Sequence, residues 1–360
     1  MSGATTGEYE DWFKSHAGSV YLYIFDKNGI YLDRREKHKN DFIPGEDFSM
    51  RFNEKELIPG ETYNLVAVAQ GNIFGYDETE DYQWFKLVNP MEVGKSRIQD
   101  YILKLDRDTN GDGFSEVGVV NYKDQYGQNR QMIDTLWTTK PDEVQTVTIK
   151  KIDYKPSPIP QPDNVTEVTI PMMRITNSIT INILGSTFVQ ETNPDDYHVV
   201  IYFPHGNGTV DFTGNVIPVQ ELYYQSLIKS MKLYRPKDTS GNLSGELPPT
   251  EGESQQTRAD GNQYALNSLF GVSRLQVNDQ SSLQLRDATK EGFPIIWSID
   301  DFSSILAELL NDYYKDDQEY LDREYDFQVD INLDNKGKPE YMDISVANLA
   351  WAKRKWLITL

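Results

Sequence analysis

Between Asp106 and Gly118 the sequence reads DRDTNGDGFSEVG, with acidic or amide side chains at alternate positions and glycines among them. Oxygen ligands at this spacing suit a hard cation, above all calcium, which draws on carboxylates, amides and backbone carbonyls. Two registers compete. The first offers Asp106, Asp108, Asn110 and Asp112, with Gly111 at the sixth place. The second offers Asp108, Asn110, Asp112 and Glu116, with Gly113 sixth, and follows the acidic pattern slightly better. In both, the twelfth place is a valine, Val117 or Val119, where a helix-flanked calcium loop carries its bidentate carboxylate. The flanks ILKLD and EVGVVNY have strand character rather than helical character. The segment is therefore expected to form a hairpin tip in the N-terminal domain. It holds a structural calcium ion there, or is an acidic turn in water. Without a cation its carboxylates repel one another, which is the physical motive for binding one.

Other chemistry is sparse. HGNG, His205 to Gly208, has the composition of an oxyanion loop, but no G-x-S-x-G elbow accompanies it. His16, His38, His198 and His205 show no metal-ligand spacing beyond the proximity of the last two. There is no phosphate loop and no dinucleotide fingerprint. The absence of cysteine removes disulfides, thiolate metal sites and thiol nucleophiles. No catalytic residues are assigned, and the chain is read as a non-enzyme. Its 35 basic and 56 acidic residues give a net charge of −21, which repels nucleic acid and anionic lipid.

The elements that must position any site are mainly β. VYLYIF, Val20 to Phe25, is a run of β-branched and aromatic residues that ends in DKNG, a hairpin signal with positive φ expected at Asn-Gly. In Tyr63 to Ala69, both alternating sets are apolar enough for a strand covered on its two faces. Strands are also expected in TVTIKKI, VTEVTIPMMRITNSITINIL, HVVIYF, FGVSRLQV, SSLQLRD, YDFQVDINL, YMDISVANLAW and the terminal KWLITL. One segment has helical period: Phe302, Ile305, Leu306, Leu309, Leu310 and Tyr313, with Ser298 or Asp300 available as a cap. Prolines 156, 158, 160 and 162 make a stiff linker or edge loop, so a boundary is expected near 155–165. Lys237 to Gly261 reads as a polar loop, and the acidic DETEDYQW, Asp77 to Trp84, as a solvated turn or a ligand contact. The architecture expected is two β-sandwich domains, 1–157 and 158–360, with one amphipathic helix in the second.

Five segments in order, VYLYIFDKNGIYL, LIPGETYNLVAVAQG, VTIPMMRITNSITINI, FGVSRLQV and QEYLDREYDFQVDINL, resemble the FimB-type fimbrial anchor family. Its members are minor base subunits of type V pili in Bacteroidales. The resemblance runs from about residue 18 to 345. It implies two transthyretin-like sandwiches, no catalysis, and an exported lipoprotein of the outer membrane that attaches the fimbria and limits its length. Its partners would be fimbrial shaft or accessory subunits, joined by strand addition to an open sheet edge. The lipidated cysteine of the family has no counterpart, so this sequence is expected to start after the signal and the lipobox. Tyr320, Leu321, Asp322, Arg323 and Tyr325 match the family segment as structural residues. Arg323 pairs there with a carboxylate or carbonyls, or serves as a surface charge. KWLITL is a donated strand or the last strand of its own domain. The 22 tyrosines and six tryptophans support a second reading, a surface glycan-binding lipoprotein.

Overall fold

A computed structural model describes residues 13, 17–38, 41, 49–71, 85–105, 107–108, 116–117, 133, 135–140, 144–151, 166–185, 193, 196–227, 229–233, 263–314, 319–321, 326–346 and 349–357. In chain order the first strands are β1 (Ala17–Asp26), β2 (Tyr31–His38), β3 (Thr62–Gly71), β4 (Phe85–Leu87), β5 (Ile102–Leu105), β6 (Arg107–Asp108) and β7 (Glu116–Val117). Then come β8 (Leu136–Thr139), β9 (Gln145–Thr148), β10 (Met172–Arg174), β11 (Thr176–Leu184), β12 (Tyr197–Phe203), β13 (Thr209–Asp211) and β14 (Leu222–Leu227). The last are β15 (Lys229–Leu233), β16 (Gln263–Ser273), β17 (Ser282–Asp287), β18 (Ile295–Ile299), β19 (Asp326–Leu333), β20 (Pro339–Val346) and β21 (Leu349–Leu357). The amphipathic helix α1 (Phe302–Tyr314) lies between β18 and β19. The chain is mainly β, as its pattern of short β-branched runs requires.

Its contacts group into two compact units. One comprises Met1–Asp106, Asp134–Ile175 and Gly208–Ile217; the other comprises Arg107–Ile133, Thr176–Asn207 and Pro218–Leu360. The segment around the expected boundary, 152–165, lies outside the described residues.

In the first unit a six-stranded sheet runs β10-β8-β3-β1-β2, with β9 also paired to β3. A three-stranded sheet, β13-β5-β4, completes the unit. The two faces of β1 and β3 are both buried, as their double apolar alternation demands. On one side Tyr21, Tyr23, Phe25, Val66 and Val68 are buried along with Phe85, Leu103 and Leu105 of the smaller sheet. Tyr23 stacks edge-on against Tyr101, ring centroids 4.6 Å apart. On the other side Leu22, Ile24, Leu65 and Val147 form a cluster beneath Leu57, Met50 and Phe52.

The β1–β2 turn departs from expectation in one respect. Only Gly29 has positive φ, +78°, and Asn28 does not. The cause is Asp26, whose Oδ1 accepts the amide hydrogens of Asn28 and Ile30, both at 2.8 Å, and holds a tight turn with a single left-handed residue. The same clamp recurs at Asp211, which accepts from Thr213 and Asn215, and at Asp334, which accepts from Lys336 and Lys338.

In the second unit one sheet runs β15-β16-β11-β19-β20-β21 and another β14-β12-β17-β18. The alternation is plain in both. Ile179, Ile181 and Ile183 of β11 are buried beside Phe327, Val329 and Ile331 of β19. The opposite face of β11 carries Asn182, which donates to Asp330 Oδ1 (2.7 Å) and accepts from Asn267 (2.8 Å). Helix α1 buries Phe302, Ile305, Leu306, Leu309 and Leu310 of the periodic set. Its start is held by neither Ser298 nor Asp300. Ser281, far back in the chain, accepts Phe302 N–H on its carbonyl (2.9 Å) and Ser303 N–H on its hydroxyl (3.0 Å). Ser298 instead donates to Asp300.

Candidate functional site

A sheet edge carries a row of backbone donors and acceptors that any extended chain can pair with, so its side chains decide whether it is open. The two units supply contrasting cases. In β2, Asp33, Arg34 and Glu36 are exposed. Arg34 pairs with Glu36 at 2.7 Å, and Arg35 with Asp33 at 3.2 Å and Glu56 at 2.8 Å. Lys37 donates to the Ser49 carbonyl at 3.1 Å. The near end is sealed by backbone: Tyr31 N–H reaches Ser96 O at 2.8 Å, and Gly94 N–H reaches Tyr31 O at 2.9 Å. Charge and a covering loop close this edge.

The strand β18, sequence IIWSI, has no charged residue. Among the described residues it pairs with β17 on one side only. Trp297 and Ile299 point into the core, each 4% exposed, while Ile295 and Ile296 are 49% and 44% exposed. Leu285 pairs with Trp297 and Arg286 with Ile295, so Ile296 is the extra residue of a bulge. A bulge at an edge re-aims side chains, and here it leaves two adjacent isoleucines in water. The hairpin that presents β18 is fixed by Asp287. Its Oδ1 accepts the Thr289 amide hydrogen (3.0 Å), its Oδ2 pairs with Lys290 (2.7 Å), and its own N–H reaches Pro294 O (3.0 Å). The hydrogen bond and ion pair from Lys290, with help from Thr289, hold the Asp287 carboxyl down to about 2. Three other edges are more sheltered. β14 is flanked by β7 and β16, β21 meets α1, and β10 is a three-residue strand ending in Arg174.

Of the proposed cation ligands, Asp106, Asn110 and Asp112 lie outside the described residues. Asp108 and Glu116 are placed directly opposite one another in the two-residue antiparallel ladder of β6 and β7, which sits in the second unit. Among the described residues no group of three or more His, Cys, Asp or Glu side chains is arranged to hold a metal. His198 and His205 serve separate partners, Gln225 at 3.0 Å and Gln280 at 3.3 Å. A recess of about 490 Å³ beside Asn89–Glu92 and Gln99–Ile102 brings no nucleophile and base together.

The YLDREY segment acts structurally where it is described. Leu321 is buried, donates its N–H to Leu275 O (3.1 Å) and accepts from Asn177 Nδ2 (3.2 Å). Tyr320 lies flat against the guanidinium of Arg274, 3.6 Å from ring centroid to Cζ. Asp322, Arg323 and Tyr325 lie outside the described residues, as does Asp77 to Trp84. The buried cation that sequence reasoning passed over is Arg274, 3% exposed, inside FGVSRLQV. An arginine flanked by apolar strand residues was its signal. In KWLITL, Lys355 to Leu357 belong to β21, the last strand of its own sheet.

These features define a mainly β protein in which β2 is a covered edge and β18 is unpaired on one side among the described residues. Solved structures with this fold include candidate polysaccharide-binding proteins from Bacteroides thetaiotaomicron VPI-5482, with TM-score 0.60, 17% identity, and 98% of this chain and 94% of that one covered. A candidate adhesin from the same organism matches with TM-score 0.59 and 17% identity over 96% of this chain and 92% of that one. The fimbrial anchor protein Mfa2 from Porphyromonas gingivalis matches with TM-score 0.51 and 13% identity over 92% and 89%. No curated protein matches the sequence. The chain belongs to the family of fimbrillin-A associated anchor proteins Mfa1 and Mfa2, whose model matches residues 2–355. The resemblance read from the ordered motifs is thereby borne out.

Proposed function

We propose that this chain is a non-enzymatic fimbrial anchor subunit of the outer membrane that attaches a fimbria to the cell and limits its length. The observation that carries this reading is the family match over residues 2–355. The contact with the shaft is strand addition, and β18 is the receiving edge. Its backbone is unpaired on one side among the described residues, and its exposed isoleucines match an apolar strand from a shaft subunit. Attachment to the membrane runs through a lipid anchor, as the family resemblance implies. Among the described residues no helix is long and apolar enough to cross a membrane. The test is genetic and biochemical. Deletion of the gene releases fimbriae into the medium and lengthens them, and the protein copurifies with a shaft subunit. Fimbriae of unchanged length and attachment refute the reading.

The acidic loop is proposed as a structural calcium site that steadies the β6–β7 hairpin. Chelation lowers the melting temperature, and added calcium restores it. A melting curve indifferent to both reduces the loop to an acidic turn.

A further inference from the structure

We propose that the half-buried Tyr202–Tyr223 patch of the β14-β12-β17-β18 sheet binds a neutral, polyhydroxylated ligand of the saccharide class. The register sets these residues opposite each other across β12 and β14. Their ring centroids are 4.7 Å apart and their planes 30° from parallel, so they form one continuous aromatic surface. Both rings are half-buried, with part of each open to solvent. Tyrosine gives large, rigid, amphipathic contact area with little side-chain entropy to lose.

The polar groups around the pair have a definite sense. Both phenol hydroxyls donate to Glu221 Oε2, at 3.1 and 3.3 Å. Burial and the Glu221 carboxylate push the Tyr223 phenol up to about 12, so it remains a proton donor at neutral pH. Glu221 itself is exposed and keeps further acceptor capacity. Two residues along β14 from Tyr223, on the same face, Gln225 is 5% exposed; its Nε2 donates to His198. Its Oε1 is buried with no hydrogen-bond partner among the described residues. The open valence beside the two rings is therefore an acceptor, the Glu221 carboxylate, which calls for a ligand rich in donors.

Charge narrows the class. Arg286 is held flat by Gln284 Oε1, to which Nε and Nη2 donate at 2.8 and 2.5 Å, and its Cζ lies 5.8 Å from the Tyr223 ring centroid. That fixed cation opposes a cationic ligand. Glu221 and the net charge of −21 oppose an anionic one. A neutral ligand with many hydroxyls and an apolar C–H face satisfies both conditions. This inference is independent of the anchor reading, since neither role requires the other.

The test is an array of neutral, sialylated and sulfated oligosaccharides with a lysine-rich peptide as control, probed with the full chain and followed by calorimetry on the best neutral glycan. At least one neutral oligosaccharide is retained. Tyr202→Ala weakens its binding by about tenfold or more. Glu221→Gln, which keeps the shape of an exposed side chain, weakens it about as much without moving the melting temperature. Retention of no neutral glycan, preference for the anionic glycans or the peptide, or wild-type affinity in Glu221→Gln overturns the proposal.

Discussion

The edges β2 and β18 share a backbone chemistry and differ in everything attached to it. β2 follows a clamped turn and at once turns polar, with Asp33, Arg34, Arg35, Glu36 and Lys37 in succession. Ion pairs and a covering loop occupy its outer side. β18 follows an equally clamped turn, yet places Ile295 and Ile296 in water and Trp297 and Ile299 in the core. A long apolar edge is an aggregation hazard that proteins normally suppress with charge. Suppression at one edge and its absence at another is the contrast on which the strand-addition proposal rests. The lesson lies in topology. Strands such as β1, β3 and β18 are similar runs of apolar residues, and only the place in the sheet order shows which of them lies at an edge.

The largest expected effect tests whether β18 is fixed firmly enough to be an edge at all. Trp297→Ala removes a side chain that is 4% exposed and should cost about 3–5 kcal/mol in urea unfolding. Ile296→Ala, one residue earlier and 44% exposed, should stay within about 0.5 kcal/mol. If the two were equally mild, the strand would not be packed and the contrast with β2 would dissolve.

The next effect is on assembly. Ile295→Lys with Ile296→Lys gives β18 the character of β2. Capture of the shaft subunit should fall at least about tenfold, while stability changes by less than about 0.5 kcal/mol. Undiminished capture would move the receiving edge elsewhere in the molecule.

Much of this frame was legible in the sequence, for a local reason. The strand cores at Val20 to Phe25 and Tyr63 to Ala69, and the helix from Phe302, are encoded by periodicity within a few residues. What was illegible is long-range. The run MMRITNSITINIL reads as continuous β, yet Met172–Arg174 pairs with β8 in the first unit, whereas Thr176–Leu184 lies between β16 and β19 in the second. The cap of α1 comes from Ser281, across a loop and two strands, so inspection of Ser298 and Asp300 could not find it. Arg274 reads as a stray charge until Tyr320 is seen lying on it. The bulge that exposes Ile296 exists only in the pairing with β17.

The smallest effect separates the two edges by the turns that present them. Asp26 and Asp287 both have carboxyls below the ordinary aspartate range, for different reasons. For Asp26, partial desolvation pulls upward and is outweighed by the N–H groups of Ile30 and Asn28. For Asp287 the Lys290 side chain leads, and Thr289 adds to it. A depressed folded-state value means that each contribution to stability is complete above the unfolded aspartate value of about 3.9. It is then lost as the pH falls through the folded value, which for Asp287 is about 2. Salt distinguishes the causes. The Asp287–Lys290 pair, whose ammonium lies in solvent, is screened at about 1 M ionic strength, where the Debye length is near 3 Å. Its carboxyl titration, followed by NMR, should rise toward the ordinary range. That of Asp26 should move far less, because a short hydrogen bond to a backbone amide is not an ion pair. Equal movement of the two would mean that both turns are held by charge, and that the edges differ only in their side chains beyond the turn.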